Sequence, residues 1–111
     1  MVVEATDTSF EAEVIKSGLP VLVDLYAVWC RPCQMVAPIV EGLAERYGGR
    51  FKFCRLNVDE NPGTANKYNV MSIPTLIFFK GGQPIETVVG AVPERALAQK
   101  IDEILAPASG H

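Results

Sequence analysis

Histidine is all but missing from this 111-residue chain: there is one, His111, at the last position. A Cys/His nucleophile pair or a histidine-based metal hydrolase therefore has no internal imidazole to build on. Cysteine is scarce too, with three residues, Cys30, Cys33 and Cys54. So small and odd a number is unlike the disulfide framework of a secreted mini-domain. The net charge is −3 and the lysines and arginines are scattered, so no basic cluster marks a nucleic-acid partner. The chain also lacks a membrane-spanning apolar run, a basic-then-apolar leader after Met1, a phosphate-binding glycine pattern, repeats and low-complexity tracts. These absences lead us to expect a cytoplasmic protein, with neither nucleic acid nor membrane as partner.

What is present suffices for one core. Hydrophobic residues make up 49% of the chain, enough to fold one domain without disulfide staples. We expect a single domain over 1–111, its core spanning about 8–105, with 106–111 as a frayed tail. Residues 2–5 read as a first strand. A helix should follow, opened by a capping box of Thr8 and Glu11 and closed at Gly18. The nearly unbroken apolar run Pro20 to Ala27 fits a strand buried on both faces. After it, Met35, Val36, Ile39, Val40, Leu43, Ala44 and Tyr47 recur at intervals of three and four, as on one face of a helix. Pro38 falls inside that helix. Residues 51–58 read as a strand, and Asn61-Pro62-Gly63 begins a loop or short helix to about Tyr68. Residues 75–79, Gly81-Gly82 and residues 85–89 form an antiparallel hairpin pattern, and Pro93 opens a last helix carrying Leu97, Ile101, Ile104 and Leu105. The sum is an α/β domain whose mixed sheet is covered on both faces.

The chemistry sits where the buried strand hands over to the long helix, at Trp29-Cys30-Arg31-Pro32-Cys33. The first N–H groups of a helix are unpaired and its dipole is positive there, which favours an anion. A cysteine so placed has its pKa lowered from about 8.5 to somewhere between roughly 3.5 and 7.5. Part of Cys30 should then be ionised at neutral pH, as a nucleophilic thiolate. Cys33, three residues on and on the same face, is within reach of a disulfide with it and is the resolving thiol. Pro32 suits the first helical turn because its missing N–H would be unpaired anyway. Asp24 is flanked by apolar residues, so burial should raise its pKa and suit it to proton exchange with Cys33.

Four segments in order, Val23-Asp24 before Trp29-Cys30-x-Pro32-Cys33, Leu56-Asn57-Val58-Asp59, Asn61 to Ala65 with Lys67-Tyr68, and Ile73-Pro74-Thr75-Leu76 with Gly90-Ala91, resemble the thioredoxin family. The resemblance runs from about Thr8 to Leu105. It implies the thioredoxin fold, a central mixed sheet of about five strands with about four helices. It also implies a protein-disulfide reductase that exchanges a dithiol for a disulfide and binds no cofactor. Electrons would come from a flavoprotein thioredoxin reductase that uses NADPH, and the substrates would be protein disulfides. The protein would act as a monomer.

On this chain's residues, the resemblance implies a cis peptide before Pro74 and a backbone surface at Ile73 that receives an extended substrate, with Trp29, Gly90 and Ala91 as an apolar rim. It also implies a lysine beside Asp24, where this chain has Arg55, a charge partner that cannot itself carry a proton. Arg31 stands where glycine is usual, and a fixed cation beside Cys30 should favour the thiolate and make the disulfide easier to reduce. Gln34 replaces a common lysine and pulls the other way.

Other readings of the same residues stand beside this one. Cys30, Cys33, Cys54 and His111 make four zinc ligands on paper, although Cys54 alternates with Leu56 and Val58 as a core residue would, and no metal site is expected. A groove beside Pro74 also suits a non-catalytic binding module or structural subunit. The same exchange chemistry run backward describes a disulfide oxidase or isomerase. Tyr26 reads as a packing residue.

Overall fold

Five strands and three α-helices, with one further π-helical segment, make up residues 1–107 of this computed structural model, the part of the chain that the structure describes. In chain order they are β1 (Val3–Ala5), the π-helical segment (Glu11–Ile15), β2 (Val21–Tyr26), α1 (Arg31–Tyr47), β3 (Lys52–Asn57), α2 (Pro62–Lys67), β4 (Thr75–Lys80), β5 (Gln83–Val89) and α3 (Glu94–Leu105). The strands lie in the order β1-β3-β2-β4-β5; β3 pairs parallel with both β1 and β2, and β4 pairs antiparallel with β2 and β5.

The most continuous apolar runs occupy the middle of this sheet. Val21 to Leu25 of β2 and Thr75 to Phe79 of β4 are buried throughout, because helices cover both faces. On one face Leu22, Phe53, Leu76 and Phe78 meet Val36, Val40 and Leu43 of α1 and Leu97 and Ile101 of α3. On the other, Val21, Val23, Leu25, Cys54, Ile77 and Phe79 meet Phe10, Val14 and Ala65. Burying a side chain of this size stabilises the fold by about 1.5–3 kcal/mol relative to exposure. The edge strand β5 is mostly exposed and contains Pro84, which a central strand would not accept. Gly81 and Gly82, with φ of 60° and 80°, supply the two left-handed residues of the tight turn that the β4–β5 hairpin needs.

The π-helical segment departs from expectation. No side chain caps it, and Thr8 and Glu11 do not form the expected box. Two residues earlier, Thr6 and Ser9 make the reciprocal pair: Thr6 N–H donates to Ser9 Oγ at 2.9 Å and Ser9 N–H to Thr6 Oγ1 at 3.0 Å. The chain thus turns before Phe10, and a Lys16 N–H to Glu11 carbonyl bond of 2.9 Å, five residues back, closes the wider helical turn. That segment ends at Ile15, short of Gly18. β3 starts at Lys52 rather than at Phe51 and stops before Val58. Pro38 remains inside α1 and faces solvent. Of the expected tail, Ala106 ends α3, and residues 108–111, including His111, lie outside the described residues. Among those residues no helix is long and apolar enough to cross a membrane.

Candidate active site

β2 leads straight into the site. Beyond its last residue the chain turns through Ala27, Val28 and Trp29, and Cys30 becomes the N-cap of α1 with extended backbone (φ −86°, ψ 113°). The Cys30 Sγ accepts a 3.2 Å hydrogen bond from the Cys33 N–H, which is how an N-cap side chain satisfies one of the helix's free donors. Cys30 and Cys33 are joined by a disulfide, with Cα atoms 5.2 Å apart. Cys30 is 4% exposed and Cys33 1%, so Cys33 is the deeper of the two. The two cysteines form one small buried cluster with Ala27, against which Tyr26, Val58 and Ile73 pack. Pro32 lies in the first helical turn, and Arg31 beside it is exposed. Gln34 turns its side-chain amide back onto the Val28 carbonyl at 3.1 Å.

The Ile73–Pro74 peptide is cis. Pro74 is buried and Ile73 half-buried against the cysteine cluster. The Pro74 carbonyl accepts a 2.8 Å bond from the Gly90 N–H, and Gly90 has φ of 94°, a conformation that favours glycine. Gly90 and the exposed Ala91 therefore stand beside the cis-proline loop. Trp29 is 68% exposed, so it is no core residue; its Nε1 donates to Asp59 Oδ2 at 2.8 Å.

Behind the cysteines lies Asp24, with no exposed surface at all. Arg55 donates through Nε to Asp24 Oδ2 at 3.1 Å, while Oδ1 is buried without a hydrogen-bond partner among the described residues. Burial pushes the Asp24 carboxyl up to about 6, against the opposing pull of the Arg55 charge. The two are joined, as their pairing across β2 and β3 dictates. Cys33, Gln34, Tyr26 and Arg55 line one pocket at this end of α1.

Cys54 is fully buried on the opposite face of the sheet, and burial pushes its thiol up to about 11. It does not join Cys30 and Cys33. Among the described residues no group of three or more His, Cys, Asp or Glu is placed to hold a metal ion.

The sequence model of the family described as Thioredoxin matches residues 1–103. The chain belongs to the thioredoxin family. It is 51% identical over 102 residues to the thioredoxin of Synechocystis sp., covering 92% of this chain and 95% of that one. To thioredoxin 1 of Nostoc sp. it is 50% identical, over the same shares of the two chains. To the M-type chloroplastic thioredoxin of Pisum sativum it is 48% identical, over 89% of this chain and 58% of the relative. The chain is accordingly a thiol–disulfide oxidoreductase, a protein-disulfide reductase built on the Cys30–Cys33 disulfide. Members of the family bind no cofactor, receive electrons from a reductase and pass them to disulfide substrates.

Sequence reasoning passed over three residues that bear on the site. Asp59 was read only as part of a motif, yet it holds Trp29. Glu4 was read only as a strand residue and Tyr26 only as a packing residue, yet Tyr26 stacks on Arg55 and donates to Glu4. The sequence signal for Glu4 and Tyr26 lay in strand register, which one chain does not reveal until it is paired.

Proposed function

We propose that Cys30 is the nucleophile, Cys33 the resolving thiol and Asp24 the group that exchanges a proton with Cys33. The observation that carries this reading is the position of the Cys30 sulfur at the N-cap of α1, bonded to the Cys33 N–H. In the reduced protein that donor and the helix dipole favour the Cys30 thiolate. The thiolate attacks a substrate disulfide, forms a mixed disulfide and releases one substrate thiolate. Cys33 then gives its proton to the Asp24 carboxylate, attacks the Cys30 sulfur and releases the second substrate thiolate. Two electrons have moved to the substrate, and the ring disulfide seen in the structure remains.

The substrate segment lies extended along Ile73, with Trp29, Gly90 and Ala91 as the rim. Arg55 is the charge partner of Asp24, and Arg31 and Pro32 tune the couple. A flavoprotein reductase supplied by NADPH returns the two electrons. The protein works in the cytoplasm as a monomer of one domain and acts as a general reductase. The Cys33→Ser variant should accumulate a mixed disulfide through Cys30, and Cys30→Ser should form none. A Cys30→Ser, Cys33→Ser protein that folds but still reduces a disulfide-bonded substrate ends the proposal.

A further inference from the structure

Glu4, Arg55 and Asp24 stand opposite one another across three adjacent strands: Glu4 of β1 pairs with Arg55 of β3, and Arg55 with Asp24 of β2. Side chains in such a row leave the sheet on the same face, and so does Tyr26, two residues beyond Asp24. Arg55 is the one cation of this group and is held at two points. Its Nε donates to Asp24, and its guanidinium carbon lies 3.7 Å from the centroid of the Tyr26 ring. The ring is itself tethered: Tyr26 Oη donates to Glu4 Oε2 at 2.7 Å. A phenol that donates to a carboxylate is pushed toward higher electron density, which strengthens its attraction for a cation over its face.

The contact to Asp24 is single-pronged. A free guanidinium would fork onto both carboxylate oxygens, yet only Oδ2 is bonded and Oδ1 stays unpartnered. Arg55 also has somewhere else to go, because its side chain is 20% exposed and water competes for it. The ring of Tyr26 occupies the face from which the guanidinium would otherwise turn outward.

We propose that Tyr26 is a positioning residue, its ring, anchored through the phenol to Glu4, keeping the Arg55 guanidinium on Asp24 and so setting the charge state of the carboxyl that serves Cys33. The inference rests on the proton-exchange role given to Asp24 above. Tyr26 and Arg55 form a matched pair, since a lysine at residue 55 would present a point charge without a flat face to stack. The charged groups that act on Asp24 are Arg55 from β3 and Glu4 from β1, and Cys33 of α1, which titrates once the disulfide is reduced, lines one pocket with Arg55 and Tyr26. Glu60 acts on the Tyr26 phenol. Arg55 favours the Asp24 carboxylate; burial and Glu4 disfavour it. Removing the ring weakens the first influence and leaves the other two in place, so Asp24 holds its proton to higher pH.

The experiment is a carboxyl-carbon NMR titration of Asp24 in the reduced protein, compared among wild type, Tyr26→Leu and Tyr26→Phe. Tyr26→Leu should move the midpoint up by about half a unit to one unit. Tyr26→Phe keeps the face and loses the tether, and should move it by less than half as much. In an Arg55→Ala background Tyr26→Leu should move it no further. Tyr26→Met serves the same comparison if the leucine variant does not fold. A leucine or methionine variant that titrates with the wild type overturns the proposal even if it is less stable, because a merely packing side chain changes stability without moving that midpoint. So does an equal shift in the Arg55→Ala background. The titration needs no turnover, so a failure of the Cys30 and Cys33 roles shows separately, as reductase activity that survives Cys30→Ser.

Discussion

Trp29 and Asp59 are joined by a 2.8 Å hydrogen bond from indole Nε1 to Oδ2, although 68% of the tryptophan is exposed. An indole that faces water gains little from burial, so its orientation beside the disulfide depends on this bond. Asp59 is itself fixed: its N–H donates to Asn57 Oδ1 at 3.0 Å, and the Asn57 carbonyl accepts from the Asn61 side chain at 3.0 Å.

Asp59→Ala should free the indole. Trp29 is the one tryptophan, so its fluorescence reports the change without interference. A hydrogen bond of this kind is worth about 1 kcal/mol net, which sets the loss in kcat/KM for a protein disulfide at about fivefold or less. The midpoint of chemical unfolding should hardly move. Unchanged fluorescence and kinetics in this variant would show that the bond does not orient the rim.

Asp24 makes a prediction about stability against pH. Burial raises its folded value from 3.8 to about 6, so the folded state holds the proton more tightly than the unfolded chain between those limits. The contribution to stability is full below pH 3.8 and is lost as pH rises through about 6. At pH 8 the buried carboxylate costs about 3 kcal/mol. Asp24→Asn should therefore be more stable than wild type at pH 8 by up to that amount, with the two curves converging near pH 4. Denaturant unfolding across pH 4–8 measures it. A variant equal to wild type at pH 8 would mean that Asp24 is not strained by burial. The same variant should slow resolution of the mixed disulfide.

Much of this was readable in the sequence because it is local. The run at Val21 to Leu25, the three-and-four spacing after Cys33 and Gly81-Gly82 between two β-forming stretches each state their conformation within a few residues, whereas the cis bond at Ile73-Pro74 was expected from the family resemblance. Asp24 was readable as buried for the same reason. What escaped depends on pairing or on distant partners. Thr8 and Glu11 have the spacing of a capping box, but Thr6 and Ser9 compete for the same turn and win it. Glu4 meets Arg55, and Arg55 meets Asp24, only once three strands take their register. Trp29 reaches Asp59 across a loop between elements that are far apart in sequence.

Asp7 belongs to this second group, and it predicts an acid-side loss of stability. Asn61, the N-cap of α2, makes no side-chain cap bond. Asp7 supplies the cap from the other end of the chain, accepting from Gly63 N–H at 3.0 Å, Thr64 N–H at 2.8 Å and Thr64 Oγ1 at 2.7 Å. The Thr64 hydroxyl and the backbone donors hold the Asp7 carboxyl below its ordinary value. A depressed carboxyl stabilises the fold above pH 3.8 and loses that contribution as pH falls through its folded value. Asp7→Ala should lower the unfolding midpoint at pH 7 and leave it unchanged at strongly acid pH. Amide exchange at Gly63 and Thr64 should quicken in the same variant. Protection that persists there would show that α2 does not need this cap.

Arg31 carries the prediction that concerns redox poise. It is exposed, directly follows the N-cap Cys30, and makes no ion pair among the described residues. Nothing there cancels its charge, so in the reduced protein it acts on the anion next to it in the chain, which under the proposed mechanism is the Cys30 thiolate. Stabilising the reduced form makes the disulfide easier to reduce, so the wild-type potential should lie above that of a variant with no charge at this position. Arg31→Gly should therefore move the measured potential downward. Solvent and salt screen an exposed charge, and a tenfold effect on the equilibrium is only about 30 mV for two electrons, so the shift should be that size or smaller and should shrink as salt is added. Cys30 alkylation at pH 6 should slow in parallel. An upward shift, or one indifferent to salt, would assign Arg31 to partner choice instead of to the couple.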